Sequence, residues 1–329
     1  MELTWEEWKA MKKQLRRRMG VPGWTLLIYY GMMNISVFLW ILAETLIGAM
    51  GRILAGDFAG VDNALLRATE SGWGYFPPAI VGLVILLLWK KPKFWHEQIW
   101  ARGKPMKAGR FFEVLCVFLG MQFLSQMALA LLESVLNIYD LSILEGAEAL
   151  SVNPSNLSMF LYAGVLAPIT EEILFRGLIQ RVMMPYGRNF AIFVSAFTFG
   201  LFHGNLIQSP FAFLVGLVLG YVAAEYSIGW AMLLHMINNL LLADAMNRLT
   251  FGLPVETAGM IIWAVLLFFA VLGTVVLIRR RSHIRQWLRR EPIHRTYLGC
   301  YFSSAGTIVF LLVMGGMMVF TFFSMITPL

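Results

Sequence analysis

The chain has 329 residues, of which 59% are hydrophobic and 14% are charged, and its mean hydropathy is +0.70. This balance excludes an ordinary soluble domain, and the repeated apolar runs predict a polytopic membrane protein. The formal net charge is +7. In a membrane protein such an excess of Lys and Arg is typical of cytoplasmic loops, so we expect membrane lipids and no nucleic acid as partners. The two cysteines, Cys116 and Cys300, lie in apolar segments and are interpreted as lone buried thiols.

Residues 1–20 carry many charges, and their apolar side chains recur at the spacing of one helix face. This pattern predicts a basic amphipathic helix that lies on the membrane surface. A solvated flank of the first span is the other interpretation. Both interpretations place the segment on the same side of the membrane.

Nine apolar stretches follow this segment, and we predict that each spans the membrane as a helix. The expected fold is therefore all-α, a polytopic transmembrane helical bundle of about nine spans. The loops between the spans are too short for a domain of their own, so residues 1–329 are predicted to form a single membrane domain. The predicted spans are 24–50, 75–89, 111–136, 157–184, 190–207, 211–228, 230–249, 259–278 and 299–326.

Loop charge predicts the orientation of the chain. Basic residues crowd the N-terminus and the loops that follow the second, fourth and eighth spans, the last of these at residues 279–298. The intervening loops hold few basic residues. This alternation predicts a cytoplasmic N-terminus and an external C-terminus. We expect a multi-pass protein of a bacterial plasma membrane.

The fourth span carries Glu171, Glu172 and Arg176 in its middle. Ionisable side chains are costly inside a membrane, so these three indicate a functional site. On a helix, Glu172 and Arg176 are four residues apart and can form an ion pair. Glu171 points about 100° away and is left for another partner. Pro168, just upstream, removes a backbone hydrogen bond and can kink the helix and open space there.

Two further spans carry polar groups at membrane depth. His203, in the fifth span, matches the depth of Glu171, so a hairpin of the fourth and fifth spans is expected to bring the two together. His235 and Asn239 lie four residues apart on the seventh span and share a face, and Asn238 could replace Asn239. The candidate cluster is Glu171, Glu172, Arg176, His203, His235 and Asn239. Two acidic residues nearer the span ends are candidates for supporting roles: Glu225 and Asp244.

These residue types favour peptide hydrolysis with water as the nucleophile. A carboxylate held beside a histidine can take a proton from water, and a low-dielectric site raises its basicity. A second histidine and an amide can donate hydrogen bonds to a developing oxyanion. The sequence has no G-x-S-x-G or H-E-x-x-H motif and no cysteine at the cluster, which argues against serine, cysteine and thermolysin-type mechanisms.

A zinc-dependent mechanism stays open from the residues alone. Two histidines and a glutamate can bind Zn²⁺ and leave one position open for water. The ligands would be Glu171, His203 and His235, or Glu172 would replace Glu171 as the ligand while Glu171 acts as the base. The cofactor is therefore either none or Zn²⁺.

Three motifs resemble those of the CPBP family of intramembrane proteases. This family includes the type II CAAX prenyl endopeptidase and bacterial abortive-infection and bacteriocin-immunity proteins. The motifs lie within residues 157–249, which we expect to form the catalytic core. They occur in order, each in its own span: residues 171–176 as E-E-x-x-x-R, residues 199–203 as F-x-x-x-H, and residues 235–239 as H-x-x-x-N.

The resemblance implies an all-helical fold with a membrane-embedded cavity. It also implies roles for the six residues: Glu171 and His203 would activate water, His235 and Asn239 would form the oxyanion hole, and Glu172 with Arg176 would brace the site. Members of this family were long classed as metalloproteases, although a metal-free mechanism is now preferred for the prenyl enzyme. The resemblance does not decide between the two mechanisms for this chain.

Three functional hypotheses follow. The first is an intramembrane endopeptidase that cuts a membrane-associated peptide or protein near the cytoplasmic side. The second is a non-catalytic immunity or regulatory scaffold that binds a partner protein, since some relatives lack motif residues. The third is a transporter in which the buried charges form an ion path, against which the sequence shows no inverted repeat.

Overall fold

The computed structural model describes six parts of the chain, and nearly all of each part is helical. The described residues are 4–57, 72–89, 92–98, 103–150, 157–241 and 246–329. Their helices are α1 (Trp5–Met19), α2 (Val21–Leu54), α3 (Phe76–Trp89), α4 (Pro92–Gln98), α5 (Ala108–Asn137), α6 (Leu144–Leu150), α7 (Leu157–Tyr186), α8 (Arg188–Phe202), α9 (Gln208–Glu225), α10 (Ile228–Leu240), α11 (Met246–Thr250), α12 (Val255–Arg290), α13 (Arg295–Phe302) and α14 (Ala305–Met325). In these parts the only strands are β1 (Leu141–Ser142) and β2 (Thr327–Pro328), which pair antiparallel. The predicted all-α fold is confirmed.

Six helical segments in the described parts are long and apolar enough to cross a membrane. They lie in α2, α5, α7, α9, α12 and α14, and two shorter apolar segments, Gly72–Leu88 and α8, accompany them. The prediction of a polytopic helical bundle is confirmed. Against the nine predicted spans, the structure supports six by length, or eight with the shorter segments. The seventh predicted span, 230–249, contains α10, which has only 13 residues, and its residues 242–245 lie outside the described parts.

The fifth predicted span, 190–207, is too long, because α8 ends at Phe202. Gly204 adopts a left-handed conformation with φ of +65°, which is a common way to end a helix. Asn205 then closes the turn. Its side-chain nitrogen donates to the carbonyl of His203 at 3.1 Å, and its side-chain oxygen accepts from the first backbone N–H of α9 at 2.7 Å. His203 is therefore held at the end of a helix and not inside one.

Two boundaries in the last third of the chain also differ from the prediction. The segment 279–298 is predicted as a loop, but α12 continues through much of it and ends just before Pro292, which cannot extend a helix. The ninth span, predicted as 299–326, is divided between α13 and α14. The division occurs where Ser304 caps α14 by accepting a hydrogen bond from an N–H of its first turn.

Close helix packing frames the interior. α5 packs along α12, and α8 packs along α9. Glycines make the first contact tight: a Cβ at Gly120 would lie 2.8 Å from the backbone oxygen of Phe269, and one at Gly273 would lie 2.8 Å from that of Cys116. Cys116 and Cys300 are both buried and unbonded, as predicted.

The predicted helix within residues 1–20 is present as α1. A capping box closes its first turn: the Thr4 hydroxyl accepts from the N–H of Glu7 at 3.3 Å, and the Glu7 carboxylate accepts from the N–H of Thr4 at 2.8 Å. Basic residues fill its last turn, where they complement the helix dipole. α1 packs against α13 and α14 and so belongs to the helical bundle.

Candidate active site

The central helix α7 changes its hydrogen-bonding pattern along its length. Its main stretches are π-helix at Tyr162–Leu166, α-helix at Ala167–Glu172 and π-helix at Ile173–Gln180. Pro168 lacks a backbone donor, and the hydroxyl of Thr170 donates to two preceding carbonyl groups, at 3.0 Å each. The helix is therefore wider on both sides of the two glutamates. Such wide turns are frequent at functional sites.

The predicted ion pair between Glu172 and Arg176 is present. Nη1 of Arg176 donates to Oε1 of Glu172 at 2.8 Å, and both side chains are 0% exposed. Nη2 of Arg176 donates to the backbone oxygen of Gly216 on α9 at 3.3 Å. The guanidinium group also lies 4.4 Å from the ring centre of Phe199, so the ring face adds a cation–π contact. Arg176 thus joins three helices with one side chain.

His235 lies between the two glutamates. Its Nδ1 is 3.0 Å from Oε1 of Glu172, and its Nε2 is 3.8 Å from Oε2 of Glu171. A carboxylate only accepts hydrogen bonds, so Nδ1 of His235 is the donor in the first contact. The remaining nitrogen, Nε2, points toward Glu171. His235 therefore supplies the partner that the sequence leaves open for Glu171.

Glu171 occupies a different environment from its neighbour. Its side chain is 30% exposed, whereas that of Glu172 is fully buried. Tyr29 on α2 and Tyr162 on α7 lie within electrostatic range of the Glu171 carboxylate. Glu171 is thus the accessible carboxylate of the pair, in a setting of one imidazole and two phenols.

His203 joins the cluster through a shared ring. Its Nδ1 donates to the carbonyl of Phe199 at 2.9 Å, because a carbonyl can only accept. The imidazole of His203 and that of His235 both lie edge-on to the Phe199 ring, with centroid distances of 4.9 and 5.8 Å. Among the described residues, no hydrogen bond or ion pair joins His203 to Glu171. The expected hairpin of α7 and α8 thus places His203 beside Phe199, where it meets His235 of α10, and no hydrogen bond links it to the glutamate in the described parts.

Asn239 connects α10 to the first π-helical stretch of α7. Its Nδ2 donates to the carbonyl of Ala163 at 2.9 Å, and its Oδ1 accepts from Nδ2 of Asn238 at 3.1 Å. Asn238 in turn accepts from Gln122 on α5 at 3.2 Å. An amide group has two N–H donors, so Asn239 keeps one for another acceptor. Asn238 and Asn239 are thus members of one chain of hydrogen bonds.

Glu225, one of the two supporting candidates, does not join this cluster. Glu225 ends α9 and binds Lys104 at 2.6 Å, Arg188 at 3.3 Å and the indole of Trp287 at 2.7 Å. These partners satisfy its charge at the end of the helix, which explains why it takes no part in the cluster. Asp244 lies outside the described residues.

Four residues near the site escaped the sequence argument: Tyr29, Tyr162, Gln122 and Asn205. The two tyrosines lie in apolar spans, where they look like any other large ring. Gln122 and Asn205 act through contacts that sequence spacing does not reveal. Only the unusual polarity of Gln122 inside an apolar run could have pointed to it.

The predicted zinc ligands do not form a metal site in the described parts of the chain. No group of three His, Cys, Asp or Glu side chains there comes close enough to hold one ion. Nδ1 of His235 is bound to Glu172 and Nδ1 of His203 to the Phe199 carbonyl, which leaves Nε2 of each ring as the possible ligand atom. As arranged, Glu171, His203 and His235 do not converge on one position for Zn²⁺.

The candidate residues coincide with a family match. Residues 153–241 match the family model described as type II CAAX prenyl endopeptidase Rce1-like. This segment is therefore similar to that family. It runs from the start of α7 to the end of α10 and includes all six candidate residues. The match supports the resemblance to the CPBP proteases and, in general terms, an intramembrane protease activity.

The match covers residues 153–241 and does not extend to the rest of the chain. Searches of curated proteins and of solved structures returned no match. The Rce1-like segment supplies the site, while α2, α5 and α12 surround it with helices that carry no matched motif. The substrate, the partner and the mechanism are therefore matters for proposal.

Proposed function

We propose that the protein is an intramembrane endopeptidase that hydrolyses a peptide bond of a membrane-associated peptide or protein. The contrast between the two adjacent glutamates carries this proposal. Glu172 is fully buried and held by Arg176 and His235, whereas Glu171 is 30% exposed with Nε2 of His235 at 3.8 Å. An accessible carboxylate beside an imidazole is suited to take a proton from water.

Glu171 is the general base in this mechanism, and His203 assists it. Water attacks the carbonyl carbon of the substrate and gives a proton to Glu171, which later passes it to the leaving amine. Neutral His203 donates through Nδ1 to the Phe199 carbonyl, so its Nε2 carries a lone pair. That lone pair can accept a hydrogen bond from the attacking water and orient it.

His235 and Asn239 stabilise the oxyanion. To donate to the oxyanion through Nε2, His235 must carry a proton on both ring nitrogens, because its Nδ1 donates to Glu172. Asn239 offers its second amide hydrogen. Donors of this kind, already fixed before the reaction, contribute about 3–4 kcal/mol each to transition-state stabilisation in other hydrolases. Glu172 and Arg176 hold His235 in place and do not touch the substrate.

The first test compares peptide termini in membranes that contain the native chain or the Glu171→Gln variant at matched protein levels. We expect new termini with the native chain and none with Glu171→Gln, since the amide cannot accept the proton. Glu145→Gln, an exposed position on α6, is the matched control and should cleave normally. Retained cleavage in Glu171→Gln would contradict the role of this base.

The alternative of a non-catalytic immunity or regulatory scaffold predicts a different result. In that case the native and variant membranes have the same termini under every growth condition, and any phenotype survives the loss of Glu171 and His203. The complete motif set in the Rce1-like segment favours the enzyme. Capture of a bound partner protein would then be the decisive experiment for the scaffold.

Metal dependence is tested on the substrate that the first experiment identifies. Because Glu171, His203 and His235 do not converge on one ion, we expect cleavage to persist in chelator. Loss of cleavage in chelator, restored by Zn²⁺, would instead favour Glu171, His203 and His235 as ligands after a rearrangement.

The predicted membrane and orientation belong to this proposal too. We propose a bacterial plasma membrane with the N-terminus in the cytoplasm, on the basis of the loop charges. A cysteine placed at Lys13 in a variant lacking Cys116 and Cys300 should react with a membrane-impermeant thiol reagent only after the cells are opened. Reaction in intact cells would reverse the orientation.

A further inference from the structure

A cavity of about 470 Å³ lies between α5, α8, α9 and α12. It is on a different face of α9 from the candidate active site. Gly216 and Gly220 bring α9 against Arg176 and Gln180 of α7, whereas residues 217, 218 and 221 line the cavity. None of the six candidate residues lines it, although all six are among the described residues. The cavity is therefore a separate feature of the fold.

The walls of the cavity are almost wholly apolar. Valine, leucine, isoleucine and phenylalanine side chains from all four helices face it. On α12 the lining extends from Val276 to Leu288, which is about 18 Å along the helix axis at 1.5 Å per residue. The apolar slot formed by these walls therefore accommodates part of a hydrocarbon chain, because Arg280 and His283 lie within the same length of α12.

A charged group interrupts the apolar lining where α12 becomes basic. It consists of Arg110, Glu113, Arg280 and His283. Glu113 accepts from both arginines at 2.7 Å, so two guanidinium groups share one carboxylate. Each nitrogen of Arg110 already donates one hydrogen bond, because two tyrosine hydroxyls accept from Nε and Nη2. Arg280 is 45% exposed, and its Nη1 has no partner within the described residues, so it can bind an anion.

Asn189 is a second and independent indication of a ligand. Its side chain is 7% exposed and lines the same cavity. Its Nδ2 donates to the carbonyl of Leu288 at 2.7 Å, but its Oδ1 has no hydrogen-bond partner in the described part of the chain. A buried acceptor without a donor is costly. A ligand with a hydroxyl group would supply the missing donor.

These features lie close together along α12. Apolar residues line the cavity on both sides of the cationic groups at residues 280 and 283, and Leu288 beside Asn189 lies about 8 Å beyond His283 along the helix axis. A phospholipid likewise carries its phosphate and its headgroup within a short distance of its acyl chains. The combination of apolar walls, a cationic group and a buried acceptor without a donor therefore fits a lipid better than a free anion or a simple hydrocarbon.

We propose that this cavity binds one molecule of an anionic phospholipid with a hydroxylated headgroup, of which phosphatidylglycerol is the simplest. One acyl chain lies in the apolar slot, the phosphate binds Arg280 and His283, and a headgroup hydroxyl donates to Oδ1 of Asn189. Basic pockets between membrane helices bind acidic lipid headgroups in the same way. The bound lipid joins α12 to α8 and α9.

The test measures lipid binding to the purified full chain by native mass spectrometry. Phosphatidylglycerol and phosphatidylcholine with identical acyl chains are titrated in parallel. We expect one molecule of phosphatidylglycerol to bind well before phosphatidylcholine does. Equal binding of the two lipids would overturn the proposal, because it would mean that only the acyl chain is recognised.

Three variants locate the site. Arg280→Gln should bind phosphatidylglycerol about fivefold more weakly, the effect expected for one basic residue near a phosphate. Arg281→Gln removes the same charge from an exposed position outside the cavity and should bind as the native chain does. Val218→Trp fills the cavity without touching an ion pair and should abolish tight binding.

Two results would contradict the assignment. Equal losses in the Arg280 and Arg281 variants would show that the general charge of α12 attracts the lipid. Unchanged binding in Val218→Trp would place the lipid elsewhere on the protein. Because the Val218 variant leaves Arg280 and Glu113 paired, the test remains decisive if the Arg280 variant fails to fold.

Discussion

Replacement of Arg176 by methionine should destabilise the protein strongly, because it leaves a charged group buried without its partner. The native guanidinium is 0% exposed, donates to Glu172 at 2.8 Å and to the Gly216 carbonyl at 3.3 Å, and lies over the Phe199 ring. Removal of one member of a buried ion pair typically costs about 3–5 kcal/mol. The loss of the Gly216 and Phe199 contacts places Arg176→Met toward the upper end of that range.

The double variant Arg176→Met with Glu172→Gln separates the charge effect from simple loss of packing. Each single change leaves a buried charge behind, so we expect each to cost about 3–5 kcal/mol. The double variant removes both charges and should lower the free energy of unfolding by only about 2 kcal/mol, because replacing a buried ion pair by uncharged residues often has little effect on stability. The two changes should therefore couple by at least about 4 kcal/mol.

Unfolding of the purified chain in detergent, followed by denaturant titration, measures this coupling. Lys93→Met is the matched control, because Lys93 and Glu97 have the same four-residue spacing but are exposed, at 3.7 Å. That change should cost less than about 1 kcal/mol. If the Arg176 and Glu172 effects add to within about 0.5 kcal/mol, the pair is not an energetic unit and the reasoning fails.

Three further changes test positions around the site and at helix contacts, each by unfolding in detergent. Asn205→Ala should lower the free energy of unfolding by about 1–3 kcal/mol, because it leaves the His203 carbonyl and an N–H of α9 unpaired. Cleavage should decrease as well, and unchanged cleavage would mean that the turn does not position His203. Gly23→Ala should lower the free energy of unfolding by about 1–3 kcal/mol, because the added Cβ would overlap the backbone of α14. Gly31 lies on the same helix and has open space around it, so Gly31→Ala should be neutral or slightly stabilising. Equal effects at the two glycines would contradict the close packing. Ser304→Ala should cost about 1 kcal/mol by removing the cap of α14, and no loss would show that the cap is dispensable.

The fold class was predictable because the apolar runs dominate the sequence. The predicted ends of the helices were wrong where a single residue, and not the hydropathy of the segment, determines where a helix begins or ends. The left-handed Gly204 ends α8 early, and Ser304 starts a new helix inside a run that reads as continuous. The run of arginines after the eighth span had the reverse effect, because it was interpreted as a loop. Arginine is a good helix former, and α12 continues through this run.

The site was predictable to the extent that helical spacing determines contacts. The pairing of Glu172 with Arg176 follows from their four-residue spacing, and the structure confirms it. The contact of His235 with both glutamates does not follow, because it depends on how α10 packs against α7. Spacing and depth also predicted that His203 would approach Glu171. In the structure, Nδ1 of His203 donates a hydrogen bond to the carbonyl of Phe199, which precedes it by four residues.

The two adjacent glutamates illustrate why identical side chains acquire different chemistry in a membrane. Glu172 is fully buried and accepts hydrogen bonds from a buried arginine and from an imidazole N–H, so water does not reach it. One residue earlier, the helix turns by about 100°, and Glu171 reaches an accessible space beside the free nitrogen of the same imidazole. If His235 transmits the state of one carboxylate to the other, Glu172→Gln should change the pH dependence of cleavage as well as the stability. A shift in stability alone would show that Glu172 acts only as a structural brace.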